Sequence, residues 1–361
     1  ENLSSVRVVK AYNNEAYEID SFEKRLVDYR KKYIHWRKLS AFFFSSSDIF
    51  VFGQILLTTL FGVAQAYSGE ITVGTLVVGF TFVNMMVWPI RDVATILSNA
   101  ARAVDSMDRL LIILGEPLED IASGSRPKIK GEIIFENVAF KFDDADKPVL
   151  QDVNLKIPKG ATVAVLGKTG AGKSTLAYLL TRLYDPTSGR ILIDGQDITG
   201  IARAHIRQNV ATVLQEPFLF SKSIISNIRI ANPNASEEEV YKAARIADIH
   251  DNILTFKQGY ETPVGEKGVT LSGGQRQRLA IARTIINKAP ILIFDDSLSA
   301  VDTETDINIR TALKKRSEET TTFIITHRIA TAKDADLIVV LEDGTISEQG
   351  THEQLIKKKG L

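Results

Sequence analysis

Residues 161–175, ATVAVLGKTGAGKST, run an apolar segment straight into a glycine-rich loop that ends in Lys-Ser-Thr. A short, unbroken apolar run of this kind reads as a strand buried on both faces, and the stretch from Lys173 to Arg182 reads as the start of a helix. Strand, glycine loop and helix in that order leave few folds open, because they place the loop at the carboxyl end of a strand in a parallel α/β sheet. Gly167, Gly170 and Gly172 let the backbone wrap closely, so the N–H groups of Gly170, Ala171, Gly172 and Lys173 can surround a β-phosphate. Lys173 is placed for the β- and γ-phosphates and Ser174 offers a hydroxyl to Mg²⁺, while Thr169 and Thr175 complete the loop. A chance glycine turn would lack the flanking strand and helix. The chain is therefore expected to bind a nucleoside triphosphate, with ATP and Mg²⁺ as cofactors.

Three further strand ends point to the same chemistry. ILIFDD, residues 291–296, is an apolar strand delivering two carboxylates, and Asp295 is expected on the metal through water. TTTFIITH, residues 320–327, carries His327 just past its end, within reach of a γ-phosphate. VATVLQ, residues 210–215, ends on Gln215, which can approach both metal and γ-phosphate, although alone it would read as a turn cap. Residues 131–142 read as a strand or strand pair, 336–350 as a hairpin around Asp343-Gly344, and His352 as the start of a surface helix. A mostly helical stretch, residues 224–268, leads into LSGGQ at Leu271–Gln275. Ser272 and the N–H groups of Gly273 and Gly274 open a helix and form a second phosphate cap. One domain cannot easily aim two such caps at one ligand, whereas two domains paired head to tail can.

The remainder of the chain is different in character. Apolar residues concentrate between Ala41 and Leu97, after a polar, helical stretch, residues 3–38, which the spacing of Val6, Val9, Tyr12, Tyr17, Phe22, Leu26 and Tyr29 predicts as one long amphipathic helix. Residues 41–67 and 71–97 are each long enough to cross a hydrocarbon core about 30 Å thick. Basic residues flank the pair, from Arg30 to Lys38 before and at Arg91, Arg102 and Arg109 after, and the turn at 67–70 has none. That asymmetry puts both ends in the cytoplasm. Two buried helices of a large soluble protein are the other reading, and the run lengths and flanks favour the membrane. Asp48, Gln54, Gln65 and Asn84 inside the spans are expected to face other helices or a solute pathway. Lys plus Arg and Asp plus Glu are balanced at 44 each, which supplies no nucleic-acid signal, and the absence of cysteine excludes disulfides and thiol chemistry. Opening on ENLSSVRVVKAY without Met, the chain reads as the interior of a longer polypeptide.

The phosphate loop, LSGGQ and ILIFDD in this order resemble the bacterial ABC exporters, and the resemblance covers essentially the whole chain. It implies an α-helical transmembrane part, incomplete here, joined to an α/β P-loop ATPase domain of ABC type with an inserted helical subdomain. The corresponding boundaries are 1–38 for the cytoplasmic extension of a fifth transmembrane helix, 39–67 for that helix and 71–115 for the sixth with its extension. A linker at 116–128 and the nucleotide-binding domain at 129–361 follow, with the helical subdomain at about 222–286. The resemblance further implies that Phe142 stacks on adenine, that Leu271–Gln275 is the signature contacting a partner's ATP, and that Ser299, Ala300, Val301 and Asp302 form the D-loop. His327 becomes the switch histidine and Gln215 the Q-loop glutamine. TPVGEKG, residues 262–268, resembles the segment touching the cytoplasmic loops of the transmembrane part. Expected partners are a second exporter subunit, membrane lipid and a transported small molecule, with no nucleic acid, in the bacterial inner membrane.

One position departs from that pattern. Members that hydrolyse efficiently carry Glu as the general base where this chain has Asp296. Asp keeps the charge but is one methylene shorter, and a base must reach its proton directly or through one water. In this family Asp at that position, beside an intact signature, resembles the degenerate-site half of a heterodimer. Three other readings stand beside it: a homodimer with a slow Asp base, a non-transport ABC ATPase, against which the apolar hairpin argues, and an importer, against which the fused order argues.

Overall fold

The computed structural model describes residues 5–298, 301–315 and 320–358. It divides into two units, Glu1–Pro117 and Leu118–Leu361.

The first unit is helical: α1 (Val6–Ala11), α2 (Glu15–Tyr67) and α3 (Val73–Gly115). The polar N-terminal stretch is not the single helix its periodicity predicts. The chain breaks at Tyr12–Asn14, where Asn13 takes a left-handed φ of 50° that a helix cannot continue through. Beyond the break α2 runs without interruption from the basic segment into the apolar one, 53 residues in all. No residue of α2 is buried within the chain, so its apolar side chains are not the inside of a soluble core in this unit. Thr72 caps α3, accepting a hydrogen bond from the Thr75 N–H at 3.1 Å. Gly62 of α2 packs so closely on Leu76 of α3 that a Cβ there would lie 2.5 Å from the leucine side chain. Polar groups within the apolar runs bond inside the unit. Thr59, Thr81 and Asn84 donate to carbonyls four residues back, and Gln65 donates to Glu70 at 3.2 Å. Such local bonds lower the cost of carrying these side chains in hydrocarbon.

The second unit contains two sheets. β1 (Ile133–Phe140), β2 (Leu150–Ile157), β4 (Ser188–Ile193) and β5 (Gln196–Asp197) form an antiparallel sheet in the order β2-β1-β4-β5. Residues 131–142 thus supply one strand rather than a pair. β3 (Thr162–Leu166), β6 (Val210–Val213), β7 (Ile291–Asp295), β8 (Thr321–Ile325), β9 (Leu337–Glu342) and β10 (Thr345–Gly350) form the second, ordered β10-β9-β3-β8-β7-β6. All of its neighbours pair in parallel except the β9–β10 hairpin. β7 and β8 are buried along their whole length, as strands covered on both faces must be. The helices are α4 (Lys173–Leu180), α5 (Arg203–Asn209), α6 (Ile224–Arg229), α7 (Glu237–Ile246), α8 (His250–Leu254), α9 (Gly273–Ile285), α10 (Thr303–Lys314), α11 (Ile329–Ala332) and α12 (His352–Lys358). α6 to α9 lie between β6 and β7 in the chain, and their apolar faces form a core with Val213, Leu292 and Phe294.

The stretch expected as a linker is largely part of the second unit. Arg207 donates two hydrogen bonds to the Glu119 carboxylate, at 2.7 and 2.6 Å, holding that carboxyl below its ordinary range. Ile121 accepts from the Ala204 N–H, and Ser125 pairs with residues 200–202. Residues 116–128 form no helix or strand, and Glu119, Ile121, Ser125 and Pro127 are bonded to α5 and the turn before it.

The two sheets meet where Thr321 is fully buried: its hydroxyl donates to the Gly131 carbonyl at 2.7 Å and accepts the Gly160 N–H at 2.9 Å. Thr321→Val keeps the shape and orphans both backbone groups. It is expected to destabilise the unit by about 1–3 kcal/mol, read as a lowered midpoint in thermal unfolding, whereas Thr320→Val has no such pair to break.

Candidate functional site

Strand register assembles the site. Val165 of β3 pairs with Ile325 of β8, and Ile325 pairs with Asp295 of β7, so three chain segments leave the sheet at one level. The phosphate loop follows β3, Asp296 follows β7, and His327 follows β8 by two residues. β6 ends two residues before Gln215. These carboxyl ends, with Val149, line a cleft of about 590 Å³ containing Gly167–Gly170, Gly172–Thr175, Gln215, Asp295, Asp296 and His327. Open α/β sheets bind ligands at this edge.

The loop needs its glycines. Gly170 and Gly172 have φ of 86° and 94°. A Cβ on Gly172 would lie 2.9 Å from the Val149 carbonyl oxygen, and one on Gly167 2.3 Å from that of Leu341. Lys173 Nζ spans the loop, donating to the Gly167 and Lys168 carbonyls at 2.8 Å each. Ser174 Oγ donates to Asp295 Oδ1 at 2.9 Å. Asp295 is only 4% exposed, and burial raises its carboxyl pKa; the Ser174 bond and nearby Lys173 oppose that rise, while Asp296 adds to it. A hydroxyl and a carboxylate held together beside a lysine are a hard-oxygen donor set that fits a Mg²⁺-nucleotide. Among the described residues no group of three or more His, Cys, Asp or Glu that could hold a metal ion is found.

Asp296 and His327 meet: His327 Nδ1 lies 3.1 Å from Asp296 Oδ1, and the Asp296 N–H donates to the Ile325 carbonyl at 2.9 Å. Asp296 sits at φ 47°, in the left-handed region. Phe142 lies outside the cleft lining, packed edge-on against Phe140 and Tyr184 with centroids 4.8 and 5.3 Å away. Tyr184 and Val149 were not singled out from sequence. Neither belongs to a motif; Val149 reaches the cleft just ahead of β2, and Tyr184 packs on Phe140 and Phe142 of the β1 segment.

None of Leu271–Gln275 lines the cleft. Leu271 is buried and anchors the turn, and Ser272 caps α9. Ser272 Oγ accepts the Gln275 N–H at 3.2 Å while Gln275 Oε1 accepts the Ser272 N–H at 2.9 Å, a capping box that defines the role of Gln275. The N–H groups of the first turn are left at the positive end of a 13-residue helix. Of the D-loop residues, Ser299 and Ala300 lie outside the described residues, Val301 is buried, and Asp302 caps α10 by accepting the Thr305 N–H at 2.9 Å.

Comparison with known proteins decides what this arrangement is. Residues 150–299 match the ABC transporter family and residues 1–90 match the ABC transporter transmembrane region. The chain joins ABC transporter transmembrane sequence to an ABC ATPase domain. Over its whole length it is 38% identical to the uncharacterized ABC transporter ATP-binding protein YknU of Bacillus subtilis (strain 168), covering 62% of that protein. Over 80% of its length it is 42% identical to the putative multidrug export ATP-binding/permease protein YgaD of the same strain, covering 50% of it. A solved bacterial Atm1-family ABC exporter with ATP bound superposes with a TM-score of 0.87 at 32% identity, over 100% of this chain and 63% of that one. The chain therefore spans about half to two thirds of the length of these relatives. The transmembrane match assigns the long apolar helix α2 to a membrane.

Burial of an ionised carboxylate without a cation costs stability, so in nucleotide-free protein Asp295→Asn is expected to raise the unfolding temperature. The same substitution is expected to remove most of the further rise that Mg²⁺-ATP gives the parent, by differential scanning fluorimetry with and without Mg²⁺.

Proposed function

We propose that this chain is part of one subunit of an ATP-driven bacterial exporter of amphipathic or hydrophobic compounds, working with a non-identical partner in the inner membrane. The observation that carries the asymmetric reading is Asp296, next to His327 and on the same chain as an intact signature. The names of the relatives point to export, YgaD being called a putative multidrug export protein.

In this reading Lys173 and the backbone N–H groups of the phosphate loop hold the β- and γ-phosphates, with Phe142 against the adenine. Ser174, Asp295 and Gln215 would hold Mg²⁺, which would supply charge neutralisation at the phosphates. Asp296 takes the place of a general base. A displacement of about 1 Å in a catalytic group can cost about 10²-fold, and the missing methylene shortens Asp296 by that order. Its own site therefore turns over slowly. Because the signature does not line this chain's cleft, Ser272 and Gly274 are free to meet the γ-phosphate of the ATP on the partner subunit, where hydrolysis to ADP and phosphate resets the transporter. The cycle of ATP-bound closure and release then switches the membrane cavity between inward and outward access.

The experiment compares base substitutions in the purified full-length assembly. Replacing the partner's catalytic glutamate is expected to lower ATPase by about 10²-fold or more, while Asp296→Asn changes it by less than about twofold. Ser272→Ala is expected to resemble the partner substitution. Equal losses from the two base substitutions would sink the asymmetric assignment, and a single subunit species in the active assembly would favour the homodimer.

A further inference from the structure

The first turn of α10 holds two consecutive buried polar side chains, Thr305 at 4% exposure and Asp306 at 3%. Successive helix positions diverge by about 100°, so one turn can grip two different neighbours. Thr305 Oγ1 donates to Asp248 Oδ2 at 3.2 Å. The backbone carbonyl of Asp248 in turn accepts from Arg278 of α9 at 2.5 Å, six residues beyond the signature serine. On the other side Asp306 Oδ2 accepts from Thr331 Oγ1 and from Arg310 Nε, each at 3.2 Å. Thr331 lies in α11, four residues beyond His327. Arg328, the neighbour of His327, donates to the Val301 carbonyl just before α10 at 3.3 Å. Arg310 is fixed from behind by Asp334 at 2.6 Å.

We infer that the first turn of α10 is a strut coupling the chain's signature helix to its own switch histidine, with Thr305, Asp306 and Thr331 as positioning residues. None of the three lines the nucleotide cleft. The Thr331–Asp306 bond is buried and the Thr305–Asp248 and Arg278–Asp248 bonds are half-buried, so a shift of α9 that breaks them leaves polar groups on the buried first turn of α10 poorly placed to find water. Displacement of the signature is passed to α10 through Asp248 and Thr305, and from α10 to the His327 turn through Asp306 and Thr331. The inference rests on the reading above, in which the signature serves one nucleotide and His327 the other; the strut then joins the two composite sites within one chain.

The test uses the full-length assembly with its partner. The coupling is the ratio of steady-state ATPase with Lys173 intact to that with Lys173→Ala, which empties this chain's loop. In the parent the ratio is expected at about fivefold or more. In Thr305→Val and Thr331→Val backgrounds, which delete only the hydroxyl bond, it is expected to fall to within about twofold of unity. Thr305→Ser and Thr331→Ser restore a hydroxyl and are expected to restore the ratio, which lost packing would not do. A parental ratio near one, a ratio kept in both valine variants, or serine variants that behave like the valine ones would each overturn the strut. The asymmetric reading fails on a separate measurement, the Asp296→Asn loss, so the two failures are told apart in one preparation.

Discussion

A buried carboxylate at the end of β7 sets the terms for the nucleotide end of the domain. Asp295 is removed from water and its ionised form is disfavoured, so its surroundings must supply donors and positive charge. Ser174 supplies a hydroxyl and Lys173 a nearby charge, and both open α4 behind a loop whose Gly167 and Gly172 lie so close to the Leu341 and Val149 carbonyls that they admit no side chain. The strand registers between β3, β8 and β7 make these meetings possible, because a one-residue slip would turn the end of β7 to the other face of the sheet. A cation bound at this place would answer a deficit built into the protein and so couple ligand binding to the stability of the sheet's carboxyl edge.

The same chain carries a second capped helix start, at Ser272, that does not share this cleft. Ser272 is held by its capping box with Gln275, and the signature turn is anchored from beneath by Leu271. Both are local devices that keep the first turn of α9 in shape before any ligand arrives. In the function proposed above, the domain owns one nucleotide cleft and presents the cap for another.

Sequence patterns made the nucleotide end legible because its motifs are local. A glycine loop between strand and helix, or an apolar strand ending in aspartate, needs only a few contiguous residues to be recognised. What pattern could not reach depends on long-range contacts. Nothing near Glu119 signals that Arg207 will grip it across 88 positions. Tyr184 lies in no motif, yet it packs on Phe142. The helix break at Asn13 was obscured because apolar residues on either side keep helical spacing, while the left-handed residue that stops the helix is a single Asn among polar neighbours. The contacts around α10 bring four separate segments together, and only the folded chain shows that Thr305 and Asp306 face different partners.

Asp296 joins these threads, because its backbone and its reach pull in opposite directions. At φ 47° a residue pays for left-handed geometry, a cost of roughly 1–2 kcal/mol that Asp and Asn bear more readily than longer side chains. The Asp296 N–H is tied to Ile325, so the strain cannot relax without disturbing the level at which β7 and β8 end. Its carboxylate lies against His327, which shortens its free reach further. A longer acid at this position would gain a methylene of reach and lose the side chain best suited to that backbone. In the function proposed above, the short acid gives a well-held, slowly reacting edge, which suits a cleft whose contribution is occupancy rather than turnover.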